Sequence, residues 1–302
     1  MTDDVTQLSK APALGPLYAR AAVTGPLHRG SSLPDSVYEL ADQRIDRDHL
    51  AAYQGVCGFR LSDELPPTYL HVLAFPLSVA LMVRPAFPFP LVGLVHVANS
   101  ITVVRPVDVA EQVSLRVWAA DLRPHKAGQQ LDLLAEARVG GERVWAGRST
   151  YLRRGAHGAH GTDEGAVRSR QTETPAPSEQ AAASEQAARS APAAQVRVVE
   201  HIGRRYGAVS GDRNPIHMHA LTARAFGFPR AIAHGMWLKA RTLACLEGRL
   251  PASFAVDVSF KTPVLLPSTV AITSVQQEGG WELDVRNAKS GKPHLAGRVR
   301  AC

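Results

Sequence analysis

The sequence has few cysteines and no long apolar run, and each shortage excludes a class of protein. Its three cysteines, Cys57, Cys245 and Cys302, have a number and spacing that fit neither a disulfide framework nor a thiolate metal site. The best apolar stretch is interrupted at Arg84 and Pro85, so no membrane-spanning helix is predicted. The first residues are polar and lack the pattern of a secretory signal. We therefore expect a cytoplasmic protein that does not enter the membrane.

Nucleotide and nucleic-acid motifs are also missing. The chain has no phosphate-binding glycine loop and no Ser-His-Asp nucleophile pattern. The formal net charge is +7, but the basic residues are scattered and mostly single, so they form no footprint for nucleic acid. We expect no nucleic-acid partner.

Residues 154–194 differ in composition from the rest of the chain. They are rich in Glu, Gln, Ser, Ala and Pro and contain almost no large apolar residue. Such a segment buries too little surface to offset its ordering entropy, which is typical of a flexible linker. The sequence thus predicts a first domain at 1–153, a linker at 154–194 and a second domain at 195–302.

The two halves resemble each other. Tyr53–Arg60 and Tyr206–Arg213 share the frame Tyr-x-x-Val-small-Gly-x-Arg. Val97–Pro106 and Val258–Pro267 have equal lengths and a common terminal proline. An internal repeat of this kind predicts two copies of one structural unit.

Each half is predicted to combine an apolar helix with an antiparallel meander. The helices are expected at Tyr69–Val83 and Gly235–Glu247. The alternating or apolar strand patterns cover Val113–Ala119, Leu131–Val139, Arg143–Leu152, Val270–Val275, Trp281–Asn287 and His294–Val299. Because a sheet with one apolar face needs a cover, the helix is expected to pack on it. The predicted fold class is α+β, a double hotdog in which antiparallel sheet wraps around central helices.

One short stretch carries most of the chemical signal. Asn214 followed by Pro215 predicts a helix start, and the helix is expected to continue to about Phe226. Asp212 then precedes the helix and His217 lies in its first turn, so a carboxylate and an imidazole meet at one end of one element. Taken singly, such residues are typical of a cap and a surface histidine.

A metal site is not expected at this stretch. His217 and His219 are two residues apart, so they point in different directions on a helix, and no cysteine or acidic cluster completes a ligand set.

The second half resembles the MaoC-like dehydratase family, which includes the (R)-specific enoyl-CoA hydratases. The resemblance rests on several linked motifs that preserve their order and spacing. They are Tyr-Gly-Ala-Val-Ser-Gly-Asp-Arg-Asn-Pro-Ile-His at 206–217, Ala-Arg-Ala-Phe-Gly-Phe at 223–228, Ile-Ala-His-Gly-Met at 232–236 and Ser-Phe-Lys-Thr-Pro-Val at 259–264.

The resemblance implies a role for five residues. Asp212 and His217 would be the catalytic pair that activates water for addition to C3 of a 2-enoyl thioester. Asn214 would hold the Asp212 loop, and Ser259 would support it. The backbone N–H of Gly235 would bind the thioester carbonyl, which suits a helix start because its partial positive charge favours an enolate oxygen. No cofactor and no metal are expected.

The first half departs from these motifs. It has Phe59 at the position of Asp212 and, counting straight across, Glu64 at the position of His217. Since Phe59 cannot accept a proton, we expect this half to be non-catalytic and to supply part of an acyl tunnel. Pro76 would kink the first apolar helix and leave room for a chain, or it merely bends a core helix.

The resulting hypothesis is reversible hydration of trans-2-enoyl thioesters to (R)-3-hydroxyacyl thioesters in fatty-acid metabolism. The positive charge suits the phosphates of coenzyme A or the acidic face of an acyl carrier protein. Two alternatives are a hotdog acyl-CoA thioesterase and a non-catalytic subunit that binds acyl thioesters. Self-association as a homodimer is compatible with all three.

Overall fold

The computed structural model describes residues 4–24, 32–155 and 194–302. The strands are β1 Asp4–Leu8, β2 Ser36–Gln43, β3 Leu94–Val103, β4 Val113–His125, β5 Gly128–Val139, β6 Glu142–Arg154, β7 Ala194–Val198, β8 Phe254–Phe260, β9 Ser268–Gln277, β10 Gly280–Asn287 and β11 Pro293–Ala301. The helices are α1 Leu14–Thr24, α2 Arg47–Cys57, α3 Tyr69–Met82, α4 Ile202–Ser210, α5 Pro215–Met218, α6 Ala220–Ala225 and α7 Gly235–Ala244. Nearly all of the predicted linker lies outside the described residues; β6 runs to its first residue and β7 begins at its last.

The strands form one sheet in the order β1-β2-β4-β5-β6-β3-β8-β11-β10-β9-β7. Every neighbouring pair is antiparallel except β1 and β2. Strands β3 and β8 join the halves, with Ala98 opposite Ser259 and Val103 opposite Phe254. The two half-sheets are therefore continuous, and each brings its own helix to the common core.

The predicted alternation in β4 is confirmed. Val113, Leu115 and Val117 are buried, whereas the residues between them are half-buried. This apolar face packs against α3, a helix whose residues are almost all buried. A helix that is apolar on all sides requires cover on all sides, which the sheet and the neighbouring helices supply. The α+β architecture of sheet around central helices is as predicted.

The helix predicted from Pro215 to Phe226 is divided into α5 and α6. The break is at His219, which has an extended backbone conformation. Its cause is tertiary, because the carbonyl of Ile216 accepts a hydrogen bond from the N–H of Ile232 and is diverted from the next helical turn. The predicted cap is confirmed, since the Asn214 side chain accepts a hydrogen bond from the N–H of Ile216.

None of the helices in the described part of the chain combines the length and the hydropathy that crossing a bilayer requires.

Candidate active site

Asp212 lies in a loop that both halves hold in place. Gly211 ends α4 with a left-handed φ of 74°, and a β-carbon there would collide with Leu14 of α1. The Tyr18 hydroxyl, also from α1, donates to the carbonyl of Gly211. Within the loop, a carboxylate oxygen of Asp212 accepts the N–H of Asn214 at 3.1 Å. The Asp212 side chain is 31% exposed, so it remains accessible to a ligand.

His217 is held in one tautomer. Its Nδ1 lies 2.8 Å from the carbonyl oxygen of Ile232. Because a carbonyl only accepts, Nδ1 carries the hydrogen and Nε2 of the neutral ring keeps its lone pair. Burial lowers the pKa of His217, and the charge of Asp212 opposes this shift. The neutral imidazole is thus equipped to accept a proton at Nε2.

His234 lies beside Asp212 and His217. It is 3% exposed, and its ring stacks on that of His217 with 3.6 Å between centroids. Its Nε2 lies 2.9 Å from the backbone carbonyl of Asp212, to which it donates, and 3.9 Å from a carboxylate oxygen of the same residue. Burial, and then the neighbouring His217, hold the pKa of His234 well below its ordinary value. His234 therefore positions the Asp212 loop.

Gly235 is the first residue of α7. The N–H of such a residue has no partner within its helix and lies at the positive end of the helix dipole. A β-carbon at Gly235 would lie 3.0 Å from the ring of Phe260, so the backbone approaches the opposite wall closely. The position can therefore offer an N–H donor without a side chain in the way.

Four of the five predicted site residues line one cavity of about 180 Å³: Asp212, Asn214, His217 and Gly235. The first half supplies a large part of its wall, namely Leu94, Val95, His96, Val97, Tyr151 and Arg154. The cavity consequently depends on the pairing of β3 with β8. Among the residues with polar side chains in this wall, sequence reasoning missed His96 and Tyr151, which carry no motif.

Ser259 is the exception. It is half-buried in β8, where the buried residues are Val256 and Val258, and side chains alternate between the two faces of a strand. Ser259 therefore shares the outer face with Asp257, which pairs with Arg300. The structure does not place Ser259 in the cavity, and the supporting contact implied for it is not formed. The next residue along β8 reaches the cavity instead.

Asp212, His217 and His234 also satisfy a loose geometric test for a cation. Each offers one ligand atom, and the three atoms lie within 4.8 Å of one another. His219, the other histidine considered as a ligand in the sequence, does not belong to this group. Proton transfer by Asp212 and His217 needs no cation, and Nε2 of His234 is already engaged with the carbonyl of Asp212.

The first half has a region that corresponds to the segment just before α7, and backbone hydrogen bonds identify it. The N–H of Leu65 donates to the carbonyl of Val107, just as the N–H of Ala233 donates to that of Val264. Isolated bridges adjoin both contacts, Glu64 with Asp108 and residue 232 with residue 265. Leu65 is thus the structural counterpart of Ala233.

This correspondence corrects the position assigned to Glu64. Its counterpart is Ile232, which accepts the hydrogen bond of His217, and not His217 itself. Between Phe59 and Leu65 the first half has only residues 60–64, whereas the second half has residues 213–232 with α5 and α6. The first half therefore lacks the whole segment that carries His217.

The same alignment places Pro67 at the position of Gly235. Proline has no backbone N–H, so the predicted donor to a thioester carbonyl is also lost. A cavity of about 570 Å³ does lie here, and Phe59, Glu64 and Pro67 line it. Its volume is larger than that of the other cavity, but it contains none of the three groups that the chemistry requires.

The sequence analysis also missed Lys239. It is fully buried in α7, and its Nζ donates to the backbone and side-chain oxygens of Asn99 and to the carbonyl of Val256. Burial lowers its pKa well below the ordinary value. A lysine among the apolar residues at the start of this helix was the available signal. The contacts tie α7 to both strands at the junction of the halves.

Comparison with known proteins agrees with this geometry. The profile described as MaoC like domain matches residues 180–294. The chain is 36% identical over 284 residues to 3-hydroxyacyl-thioester dehydratase X of Mycobacterium tuberculosis, covering 94% of this chain and 96% of the relative. The crystal structure of HtdX from Mycobacterium tuberculosis has 34% identity and a TM-score of 0.74, over 88% of this chain and 100% of the other.

A third similarity concerns the fold alone. A conserved protein of Mycobacterium tuberculosis with a double hotdog fold has 13% identity and a TM-score of 0.51, over 88% of this chain and 95% of the other. The fold and site define a double-hotdog protein of the dehydratase class. The extent of the match to the dehydratase from Mycobacterium tuberculosis shows that the chain belongs to the MaoC-like dehydratase family.

Proposed function

We propose that the protein is a hydro-lyase that interconverts 3-hydroxyacyl thioesters and 2-enoyl thioesters plus water in fatty-acid metabolism. The observation that carries this proposal is the convergence of Asp212, His217 and the start of α7 at Gly235 on one cavity. A dehydratase named for this substrate class is 36% identical over nearly the whole chain. We further propose the trans-2-enoyl and (R)-3-hydroxy forms, which are those of the family that the motifs resemble.

In the hydration direction, the oxygen of water forms a bond to C3 of the enoyl thioester. Asp212 and His217 take one proton from the water and deliver one to C2, so no proton is gained or lost overall. The lone pair on Nε2 of His217 suits the acceptor role. Electron density moves onto the thioester oxygen during the addition, and the N–H of Gly235 at the helix start stabilises it there. Dehydration is the same path reversed.

The first half is proposed to be a non-catalytic domain at 1–153, joined by a linker at 154–194 to the catalytic domain at 195–302. The absence of an acid at Phe59, of a histidine segment and of an N–H at Pro67 supports this division. Within α3, His71, Val72 and Phe75 line a small cavity next to the site. An acyl tunnel near Pro76 remains a proposal, tested by enlarging α3 residues and measuring chain-length preference.

The acyl group is proposed to arrive on coenzyme A or on an acyl carrier protein. Arg154 and Lys261 line the cavity from opposite halves, and neither forms an ion pair with any described acidic side chain. Two cations at this place suit the phosphate that both carriers possess. A cytoplasmic location and a homodimer complete the proposal.

The decisive experiment follows the ultraviolet absorbance of a conjugated enoyl thioester with wild type and Asp212→Asn. We expect rapid loss with wild type and a rate lower by about a hundredfold or more in the variant, because one of two proton-transfer groups is removed. Asp257→Asn is the matched control, since this carboxylate lies on the outer face of β8. Absorbance loss in all three proteins would remove Asp212 from the mechanism.

Other outcomes identify the alternatives. Release of free thiol from a saturated acyl-CoA would indicate a thioesterase. Binding of enoyl thioesters without turnover, on both coenzyme A and carrier protein, would indicate a non-catalytic subunit.

A further inference from the structure

A second, much smaller cavity lies directly behind Asp212. Its volume is about 20 Å³, enough for one water molecule, for which about 10–15 Å³ of such space suffices. We call it the rear cavity. Its polar lining residues come from both halves and are His71, His96, Tyr151, Tyr206, Ser210 and Asp212. A space this small and polar suits water and excludes an acyl chain.

His96 connects the rear cavity with the larger one, since it lines both. Its ring is held by stacking on Tyr151, with 4.7 Å between centroids, and by the edge of Phe260 at 5.2 Å. The backbone of Ala98 forms a hydrogen bond with the ring. Yet Nε2 of His96 is buried, and it has no hydrogen-bond partner among residues 4–24, 32–155 and 194–302. Buried polar atoms are rarely left in this state, which points to a small polar ligand.

The second histidine of the rear cavity, His71, lies almost parallel to His96 at 6.2 Å. Burial lowers the pKa of His71 to about 4 and that of His96 well below its ordinary value. Both rings are therefore neutral near pH 7 and suit a neutral ligand.

We propose that the rear cavity binds the water molecule that the reaction consumes or releases, with His96 as the residue that positions it beside Asp212. This inference rests on the proposed hydro-lyase activity. A bound acyl thioester would occupy the larger cavity and separate Asp212 from bulk water, so a store of one water behind Asp212 allows addition without reopening the site. Three of the residues that line the rear cavity, His71, His96 and Tyr151, belong to the first half. The non-catalytic half thus contributes the binding site of the second substrate.

The test compares His96→Phe, which removes the nitrogen and keeps a planar ring, with His96→Gln, which restores a hydrogen-bonding group. We expect kcat to fall about tenfold in His96→Phe, the effect of one lost hydrogen bond to the reacting water. KM for the enoyl thioester should stay within about twofold, since acyl binding is not altered. His96→Gln should regain most of the loss. His201→Phe, at an exposed histidine before α4, is the control.

A crystal structure of the wild type provides an independent readout. We expect an ordered water within about 3.2 Å of Nε2 of His96, and its loss in His96→Phe. An unchanged kcat, or a rise in KM without a fall in kcat, would overturn the proposal. If wild type fails to hydrate any enoyl thioester, the hydro-lyase proposal fails, while the presence or absence of the water still decides whether the cavity binds it. Thermal unfolding of each variant identifies any loss that comes from misfolding.

Discussion

In both halves a short helix ends at a glycine with a left-handed conformation, Gly58 with a φ of 79° and Gly211 with a φ of 74°. The next residue is Phe59 in the first half and Asp212 in the second. From there the halves diverge, because only the second inserts α5 and α6 before its central helix. The first half thus retains the residues that build the sheet and its helices, but it lacks the groups proposed to react. Packing and chemistry place separate demands on the same fold.

The first half is nevertheless necessary to the site. It provides the hydroxyl of Tyr18 to the Asp212 loop and His96 to the cavity wall. These contacts exist because β3 pairs with β8 and because α1 packs against the loop. The comparison of the halves therefore separates residues that react from residues that shape the space.

The largest difference in hydration rate between matched variants of the two halves is expected at His217. His217→Gln should lower the hydration rate by on the order of a hundredfold to ten-thousandfold, because the neutral acceptor at Nε2 is lost. Glu64→Gln, at the residue that straight counting placed opposite His217, should leave the rate unchanged. Both rates are read from enoyl absorbance. Equal losses in the two variants would break the distinction between the halves.

Gly235→Pro copies the first half, which has Pro67 at this place. Removal of an N–H donor to a developing oxyanion is expected to lower kcat by on the order of a hundredfold to a thousandfold. Because any β-carbon at Gly235 approaches Phe260, Gly235→Ala is the matched control for crowding. If alanine and proline lower kcat equally, steric contact and not the donor is responsible.

Acidification is expected to destabilise the protein through buried histidines of both halves. The folded-state pKa is lowered for His71, His217 and His234, so below about pH 6.5 the unfolded chain binds more protons than the folded one. The free energy of unfolding should fall as the pH decreases from about 6.5 towards about 4, the folded value for His71. Each histidine contributes a slope of up to about 1.4 kcal/mol per pH unit.

Urea unfolding at a series of pH values measures this slope. His71→Gln should make it shallower, whereas His219→Gln, which changes an exposed side chain, should leave it as in the wild type. An identical slope in wild type and His71→Gln would show that His71 takes no part in the acid response.

The smallest effect is expected at the helix cap. Asn214→Ala removes the acceptor for the N–H of Ile216 and should cost about 1 kcal/mol in positioning α5, a decrease of about fivefold in kcat. Leu61→Ala, at the matching position of the first repeat, changes a side chain that is 75% exposed and should have no effect. A drop in kcat for Leu61→Ala would show that the first-half loop also supports the site.

Local residue patterns were sufficient to predict the features that depend on near neighbours. Alternation in β4 predicts a strand because successive side chains point to opposite faces, and Asn214-Pro215 predicts a helix start because both residues suit its first turn. The proximity of Asp212 and His217 follows from the same local geometry, whereas their catalytic role is implied by the family resemblance of the motifs.

Features that depend on distant partners required the folded structure. The carbonyl of Ile232 selects the tautomer of His217, and the hydrogen bond from the N–H of Ile232 to Ile216 ends α5 early. The pairing of β3 with β8 brings His96 to the cavity and directs Ser259 away from it. These outcomes join residues far apart in the chain, and they are set by strand register and burial, which no local pattern of residue types contains.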